Sequence, residues 1–502
     1  MLKHTLLADY IQQALPEQTH GALYQRLFGC LVDAIATGVV ALGSKLPASR
    51  DLALELKVSR NTVLNAYQLL EAQGYIQGFT GRGTWVSEQL PDDYLNAKPN
   101  QQPQLPPFAK TKQILSQRAQ QFMQHVHPRP IQWGAFVPGI PDVNEFPHAL
   151  FSKIQSRIGQ TPDTASLMYS HWGGNDELKQ SLCDYLKMAR SVRCEPSQII
   201  ITDGTHQSID LISRALCDVG DVVWMEDPGY WVVRNILSIN GLDVYAQPVD
   251  EQGLNPKPDA PKPKLIFVTP SHQYPLGSHL SLARRRELLD LARHEQAFIV
   301  EDDYDSEFRF TGQPFPSLQG LEQDTPVIYL GTFSKTIYPG LRVSYMVVPH
   351  VLADTFKLML DELHRSGHQL TQRALAKFMD AGHYVAHIRR MRVLYAKRRQ
   401  YLIELIERYM GADMIHPLSL DAGLHLVLRL PITINDQGLA EYAYQHGIKV
   451  KALSLYYSPQ HPAPERGLLL GFASVPEQEM LSAFLTLRQC MADYQQGTSP
   501  TA

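Results

Sequence analysis

Cysteine is scarce in this chain, and its distribution excludes two common uses of that residue. The five cysteines, Cys30, Cys183, Cys194, Cys217 and Cys490, are odd in number and scattered, and none belongs to a Cys-x-x-Cys pair. Such spacing indicates neither a disulfide framework nor a zinc knuckle. We therefore expect no metal site and a location in the reducing cytoplasm.

Long hydrophobic runs and an excess of positive charge are also missing. No apolar run reaches the about 18 residues of a membrane span, and the amino-terminal stretch "MLKHTLLADYIQQALPEQ" has Asp9 inside its apolar part, which argues against a signal peptide. The 46 Lys and Arg residues are outnumbered by 50 Asp and Glu residues, so the net charge is −4. The whole chain is not attracted to nucleic acid or anionic lipid. We expect no membrane partner, and any nucleic acid must be bound by a local patch.

The chain is too long for a single core. Its 502 residues exceed the size at which one hydrophobic core stops growing, and its 44% hydrophobic and 19% charged residues are typical of packed globular protein. Residues 89–110 are rich in Pro, Gln and Asn and lack an apolar period, which indicates a linker. The next segment, "TKQILSQRAQQFMQHV", predicts a connecting helix. The predicted organisation is a domain over 12–88, a linker with its helix over 89–128, and a second domain over 129–498.

The first domain has the pattern of three helices followed by a hairpin. Leu23, Leu27, Leu31 and Ile35 are four residues apart and make one apolar helix face. Within "LPASRDLALELKVSRNTVLNAYQLLEAQG", Ser49 and Ser59 are predicted to cap a second and a third helix, at the spacing of a helix-turn-helix. The segments "YIQGF" and "TWVS" flank a glycine-containing turn and predict the hairpin. This α+β arrangement is a winged helix.

Polar and basic side chains stand where a winged helix would meet DNA. A recognition helix presents the side chains at its start to base edges, whereas cations elsewhere reach phosphates or the minor groove. Residues 1–88 contain seven basic and seven acidic residues, so a protein–protein module is the alternative. The predicted base-reading residues are Arg60, Asn61, Thr62 and Asn65, the phosphate-binding residues are Lys45 and Arg50, and Arg82 is predicted to enter the minor groove from the wing.

Two segments of this domain resemble the GntR-type winged helix. They are "LPASRDLALELKVSRNTV" and "LEAQGYIQGFTGRGTWV", and the resemblance extends over the whole domain. It implies that the domain binds double-stranded operator DNA.

The second domain alternates short β-branched runs with helical patterns. The runs are "QIIITDG", "DVVWMED", "KLIFVTP", "AFIVEDD" and "VIYLGTF", and "GTHQSIDLISRALC" and "SLARRRELLDLARHE" are among the helical segments. This alternation predicts a mostly parallel sheet with helices on both faces.

Four segments at the ends of these strands carry candidate functional residues. Lys335 follows a strand in a glycine-bounded loop, although taken alone a solvated loop lysine is the better interpretation. In "VEDDYDSEF" an acid at a strand end can face a cationic ring nitrogen, or the segment is a solvated acidic loop. The helix start in "TDGTHQSIDL" suits a phosphate, as many helix starts do. Tyr230 in "EDPGYW" can stack on a planar ligand or fill the core.

Together these segments resemble the fold-type I, class I aminotransferases, whose cofactor is pyridoxal 5'-phosphate. The resemblance covers nearly all of 129–498 and implies a large domain with a parallel-rich sheet and a small carboxyl-terminal α+β subdomain. It implies that Lys335 forms a Schiff base with the cofactor, that Asp302 pairs with the pyridine nitrogen, that Tyr304 donates to the phenolate oxygen and that Tyr230 stacks on the ring. The implied phosphate-binding residues are Thr205, His206, Thr332 and Arg342, and Tyr169 in "MYSHWGG" would reach the phosphate of a partner subunit in a homodimer.

Two positions depart from the aminotransferase pattern. Tyr274 in "YPLG" stands where these enzymes carry the asparagine of "NPTG", which alters hydrogen bonding to the phenolate oxygen. Leu469 in "LLGFA" replaces the arginine of "RLSFA" that holds the substrate carboxylate, and leucine cannot replace a bidentate clamp. Arg466 is close in sequence, but its position three residues earlier does not require it to point into the site.

The order of winged helix, long linker and aminotransferase-like domain resembles the MocR subfamily of bacterial transcription regulators. The resemblance covers the whole chain and implies a cytoplasmic, dimeric regulator that binds operator DNA and senses the cofactor, or an amino compound that reacts with it, at Lys335. The alternatives are an active aminotransferase with an accessory DNA-binding domain and a DNA-binding protein whose second domain only dimerises. Leu469 argues against the first alternative, and the set of cofactor residues argues against the second.

Overall fold

The computed structural model describes residues 6–15, 21–79, 83–90, 115–124, 133–168, 173–312, 315–365 and 367–496. The chain divides into two compact units, residues 1–109 and residues 110–502. Most of the predicted linker lies outside the described residues.

The described residues of the first unit form four helices and a two-stranded antiparallel hairpin. The predicted three helices are present, and an additional helix precedes them because Leu7 and Ile11 bury against the same core. In the hairpin, Ile76 pairs with Val86 and Phe79 pairs with Gly83. The elements are α1 (Leu6–Ala14), α2 (Leu23–Ala36), α3 (Ser49–Leu56), α4 (Arg60–Ala72), β1 (Ile76–Phe79) and β2 (Gly83–Val86).

The helix ends follow the predicted signals in part. Ser59 caps α4 as predicted, because its Oγ accepts a hydrogen bond of 3.1 Å from the backbone N–H of Thr62. The prediction that Ser49 caps α3 is wrong. Ala48 occupies the N-cap position without a side-chain hydrogen bond, and its carbonyl already accepts the first helical hydrogen bonds, so Ser49 is the first residue inside the helix.

The second unit begins, within the described residues, with the predicted connecting helix, and it continues as an alternation of strands and helices. The helices are α5 (Gln117–Gln124), α6 (His148–Gln160), α7 (Thr164–Leu167), α8 (Asp176–Arg190), α9 (Thr205–Leu216), α10 (Trp231–Ile239), α11 (Leu282–Glu295), α12 (Ala353–Leu363), α13 (Gln369–Asp380), α14 (His383–Tyr409), α15 (Asp436–Gln445) and α16 (Glu477–Gln495). The strands are β3 (Ile199–Thr202), β4 (Val222–Asp227), β5 (Asp243–Asp250), β6 (Gly253–Leu254), β7 (Leu265–Val268), β8 (Phe298–Asp303), β9 (Val327–Thr332), β10 (Ser344–Val347), β11 (His425–Leu430), β12 (Lys451–Ala452) and β13 (Arg466–Gly471).

Eight of these strands form one sheet in the order β3-β10-β9-β8-β7-β4-β5-β6. The strands from β9 to β5 are parallel, whereas β10 is antiparallel to both of its neighbours and β6 is antiparallel to β5. All five strands predicted from the sequence lie in this sheet, so the prediction of a mostly parallel sheet is confirmed. The sequence did not predict β5, β6 or β10.

Helices cover both faces of the large sheet, as the alternation of side chains along β4 shows. Val223 and Met225 pack into a core with residues of α9, α10 and α12. Trp224, between them, packs into a separate core with Leu288 and Leu289 of α11. The strand is therefore buried on both sides, which explains its continuous hydrophobic run.

A smaller antiparallel sheet in the order β11-β13-β12 follows near the carboxyl end, with α15 and α16 in the same region. Among the described residues, no helix has the length and apolar character needed to cross a bilayer.

Candidate functional site

The predicted cofactor residues lie along one edge of the large sheet. Strands β3, β4, β8 and β9 run in the same direction, so their carboxyl ends share that edge. Asp302 belongs to the end of β8, Lys335 follows β9, Thr205 follows β3 and Tyr230 follows β4. In open α/β sheets this edge is where ligands bind.

Lys335 is half-buried and makes a specific contact. Its Nζ donates a hydrogen bond of 2.8 Å to the carbonyl oxygen of Gly139, which is 196 residues away in sequence. Burial lowers the pKa of this amine, although the carboxyl groups of Asp305 and Asp302 act in the opposite direction. Lys335 is therefore not a freely solvated loop lysine, and a lowered pKa favours the neutral amine that reacts with carbonyl compounds.

Asp302 is only 8% exposed, so the acidic segment around it is not a solvated loop. Burial and the neighbouring charge of Asp303 raise the pKa of Asp302 to about 7, and the Lys335 ammonium opposes this shift. Burial and the charge of Asp302 in turn raise the pKa of Tyr230 to about 12. A buried carboxyl whose pKa lies near neutrality is suited to a cationic ring nitrogen, which would stabilise its ionised form.

The guanidinium of Arg342 packs closely against the start of α9. Gly204 precedes the helix with φ of +123°, and a Cβ built on it would lie 2.5 Å from Nη2 of Arg342. Only glycine therefore lets the guanidinium approach the helix start so closely. His206 is on the same turn, and its pKa is lowered by partial desolvation and by the nearby charges of Arg342 and Lys335. Free backbone N–H groups and a guanidinium side by side suit a phosphate.

Thr332 lies at the end of β9 and is buried. Its Oγ1 accepts a hydrogen bond of 3.1 Å from the backbone N–H of Ser334 and one of 2.8 Å from Oγ of Ser344. Those two donors leave its own hydroxyl hydrogen free to donate to another acceptor.

Tyr274 belongs to a group of aromatic rings beside Asp302. Its hydroxyl lies 2.9 Å from the hydroxyl of Tyr456, and its ring packs edge-on against Tyr230 and Tyr304. The tyrosine in the asparagine position is thus held by a residue 182 positions away rather than being free to rotate.

Leu469 is completely buried in the apolar cluster that also contains Tyr274 and Tyr456. Arg466 does not replace the missing arginine, because its Nη1 lies 3.1 Å from the buried carboxylate of Asp436. The structure therefore places an apolar side chain where the aminotransferase pattern has a carboxylate-binding cation.

The recognition helix α4 presents the predicted polar face to solvent. Arg60, Asn61 and Asn65 are exposed, whereas Val63 and Tyr67 face the core. The hydroxyl of Thr62 lies 2.8 Å from that of Ser59 and takes part in the helix cap, so it is less free than its neighbours.

Lys45 and Arg50 are also exposed. Lys45 forms an isolated β-bridge with Trp85 of the hairpin, and its Nζ lies 5.9 Å from the centroid of that ring. Its side chain packs against Gly83, where an added Cβ would lie 2.6 Å from its Cε. Lys45 is therefore held beside the wing.

Two predicted site residues, Arg82 and Tyr169, lie outside the described residues. Sequence reasoning in turn missed several residues of the site. Gly139 contacts Lys335 through a backbone carbonyl, which leaves no signal in a side-chain pattern. His272, which lies just before the segment "YPLG", contacts both Tyr304 and Asp305 of the segment "VEDDYDSEF", but the residue types alone did not indicate that these side chains meet.

Two family models match the chain. The model of bacterial regulatory proteins of the gntR family matches residues 23–86, and the model of class I and II aminotransferases matches residues 142–461. The first range contains α2 to β2, and the second contains the strand ends described above.

Relatives with both parts are similar over nearly the whole chain. The probable rhizopine catabolism regulatory protein MocR of Rhizobium meliloti is 36% identical over 93% of this chain and 93% of its own length. The HTH-type pyridoxine biosynthesis transcriptional regulator PdxR of Corynebacterium glutamicum is 30% identical over 93% of each chain. Among solved structures, a kynurenine aminotransferase of Pyrococcus horikoshii superposes with a TM-score of 0.65 at 24% identity, covering 77% of this chain and 97% of that enzyme. The last similarity shows the fold of the second unit.

Proposed function

Because the chain belongs to the MocR subfamily of GntR-type transcription regulators, in which a winged helix precedes an aminotransferase-like domain, we propose that it regulates transcription in response to a ligand at Lys335. The observation that carries this proposal is the convergence of Lys335, Asp302 and the Gly204–Arg342 contact at one sheet edge. The winged helix binds operator DNA, and the second unit holds the ligand.

Pyridoxal 5'-phosphate is the expected cofactor of a class I and II aminotransferase domain, and the residues present fit it. When bound, it supplies an aldehyde that an amine can attack and an aromatic ring that accepts electrons. Lys335 would bind the aldehyde carbon, Asp302 the ring nitrogen, and Tyr304 and Tyr274 would lie on the side of the phenolate oxygen. The phosphate would be bound by Arg342, with Thr205, His206 and Thr332 around it, while Tyr230 would cover the ring face.

The effector is either this cofactor or an amino compound that displaces Lys335 from it. Either ligand can act as a switch only if it binds two states of the protein with different affinities. We further propose that the protein is a cytoplasmic homodimer in which Tyr169 contributes to the partner's phosphate site.

The structure offers a route by which the ligand site could influence the linker. Helix α10 begins at Trp231, directly after Tyr230, and it packs against α5, the connecting helix at the carboxyl end of the predicted linker. Arg118 and Phe122 of α5 and Trp231 and Arg234 of α10 border the same cleft of about 810 Å³. Movement of Tyr230 would therefore reach α5 through a single helix.

The alternative function, an active aminotransferase, is tested by an activity assay and by a substitution at Leu469. We expect no steady conversion of an amino acid and 2-oxoglutarate at about 1 per second or faster, because an apolar side chain replaces the carboxylate-binding arginine. Leu469→Arg should tighten the binding of amino acids roughly 10- to 100-fold, the worth of one charged hydrogen-bonded contact. Binding is measured by titrating the visible absorbance of the bound cofactor.

The volume-conserving variant Leu469→Met is the control, and it should bind amino acids as weakly as the unmodified protein. Rapid turnover by the unmodified protein would instead show that it is an active aminotransferase.

Arg60 and Arg50 are expected to contribute differently to DNA binding. Arg60 begins α4, so Arg60→Ala should cost about 1 to 3 kcal/mol on the preferred operator and reduce the preference for it. Arg50→Ala should weaken binding to all sequences and reduce the slope of the salt dependence by about one. Gel-shift titrations on operator and random DNA at several salt concentrations separate the two. Equal losses on both DNAs for both variants would contradict the assignment of base reading to Arg60.

A further inference from the structure

One nitrogen of His272 faces three oxygens behind the proposed cofactor site. Its Nδ1 lies 2.8 Å from the hydroxyl oxygen of Tyr304. The same atom lies 3.0 Å and 3.2 Å from the two carboxylate oxygens of Asp305. The side chains of His272 and Asp305 are 2% and 1% exposed, so water does not separate them.

These contacts decide where the hydrogen atoms are. An ionised carboxylate only accepts hydrogen bonds, so the carboxylate of Asp305 requires a hydrogen on Nδ1 of His272. With Nδ1 as a donor, the oxygen of Tyr304 can only accept from it. The hydroxyl hydrogen of Tyr304 must therefore point elsewhere. Burial, together with the charge of Asp305, raises the pKa of Tyr304 well above its usual value, so the hydroxyl keeps that hydrogen.

The surroundings of the ring support the same tautomer. Nε2 of His272 is buried and has no hydrogen-bond partner among the described residues. A buried N–H without an acceptor is rarer than a buried acceptor without a donor, so the hydrogen belongs on Nδ1. Gly423 packs against the ring of His272, since a Cβ on Gly423 would lie 2.0 Å from Cε1 of the ring. The centroids of the His272 and His425 rings are 5.8 Å apart. The imidazole therefore has little room to turn.

We propose that His272 and Asp305 are positioning residues that direct the hydroxyl hydrogen of Tyr304 away from His272 and into the ligand site. This inference rests on the proposed function, because the acceptor in that site would be the phenolate oxygen of pyridoxal phosphate. The other ionisable groups facing Tyr304 are Tyr274, Asp302 and Glu226, and the nearby Lys335 ammonium faces Asp302 and Asp305. Of these groups, only Asp305 reaches Tyr304 through a shared hydrogen-bonding atom.

The first test is a double-mutant cycle read from the visible absorbance of the protein loaded with pyridoxal phosphate. A donor at the phenolate oxygen stabilises the anion and lowers the pH at which the bound chromophore loses its proton. Tyr304→Phe should therefore raise this pH midpoint by about one unit, the worth of one charged hydrogen bond. Asp305→Asn removes a negative charge, which lowers the midpoint, but it also releases the hydrogen of Tyr304, which raises it.

The cycle separates these two effects of Asp305→Asn. In the Tyr304→Phe background only the charge effect remains, so the midpoint should fall. With Tyr304 present, the shift should be more positive by about half a unit or more. His272→Leu, which breaks the link at its centre, should show coupling of the same sign. Asp421→Asn, the same chemical change at a carboxylate bonded to Thr311, should show no coupling.

Equal shifts of the midpoint by Asp305→Asn in both backgrounds would overturn the proposal. It would also be overturned if Asp305→Asn and His272→Leu each lose the cofactor while Tyr304→Phe retains it. A second measurement does not depend on the cofactor. In the cofactor-free protein, the ¹⁵N chemical shifts of His272, assigned by their disappearance in His272→Leu, should show a hydrogen on Nδ1. A hydrogen on Nε2 would overturn the proposal even if the protein binds pyridoxal phosphate. Absence of any visible band in the unmodified protein, with Nδ1 protonated, would instead remove the proposed function.

Discussion

Replacing Lys335 with alanine is expected to abolish covalent attachment of pyridoxal phosphate while the second unit stays folded. The amine is the nucleophile in the proposed site, and its described hydrogen bond is the one to the carbonyl of Gly139. Removing it deletes one contact at the sheet edge and none from the hydrophobic clusters of the second unit. The expected loss of attachment is complete, whereas the effect on the free energy of unfolding is about 1 kcal/mol.

The measurement is borohydride reduction followed by peptide mass analysis. The unmodified protein should carry the cofactor mass on the peptide that contains Lys335, and Lys335→Ala should carry none. Lys357→Ala is the matched control, because Lys357 is also mostly buried but pairs with Asp354 on α12, outside the proposed site. Attachment to another lysine in the unmodified protein would disprove the assignment, and loss of attachment in Lys357→Ala would show that the assay reports folding.

The parts of the fold that could be predicted from sequence are those in which burial leaves a periodic signal. Strands buried on both faces, such as β4 and β8, appear as continuous β-branched runs, and helices such as α11 appear between a capping serine and a polar end. Strand pairing leaves no such signal. The antiparallel β10 between β3 and β9 and the small sheet of β11 to β13 depend on contacts between distant segments.

The same distinction applies to the site. Asp302, Tyr230 and Lys335 could be predicted because each follows or ends a strand, and the ends of parallel strands meet at one edge. The contacts that orient these residues could not be predicted, since they join positions far apart in sequence. Gly139 approaches Lys335 from outside the sheet. Tyr456, which bonds to Tyr274, belongs to the segment that follows β12 of the small sheet.

Arg190→Met is expected to reduce the free energy of unfolding of the second unit by about 3 to 5 kcal/mol, because it leaves the buried carboxylate of Asp303 without its cation. Nε of Arg190 lies 2.7 Å from Oδ2 of Asp303, and the two side chains are 4% and 1% exposed. The guanidinium also donates to the carbonyl of Phe315 and to Oγ of Ser271, so three segments lose a common donor. Urea denaturation followed by tryptophan fluorescence reports mainly on this unit, since four of the five tryptophans lie in it.

The same substitution should weaken cofactor binding, although Arg190 is not part of the proposed binding set. The charge of Asp303 already raises the pKa of Asp302, and loss of the compensating guanidinium would raise it further. Asp302 would then be protonated at higher pH and would pair less well with a ring nitrogen.

Two comparisons isolate the effect of the buried charge on stability. Arg190→Met combined with Asp303→Leu should recover most of the lost stability, because no unpaired charge remains. Arg214→Met, which breaks a half-exposed pair with Asp210, should cost less than about 1 kcal/mol. If the double variant is as unstable as Arg190→Met alone, the lost stability comes from packing around the guanidinium and not from the unpaired charge of Asp303.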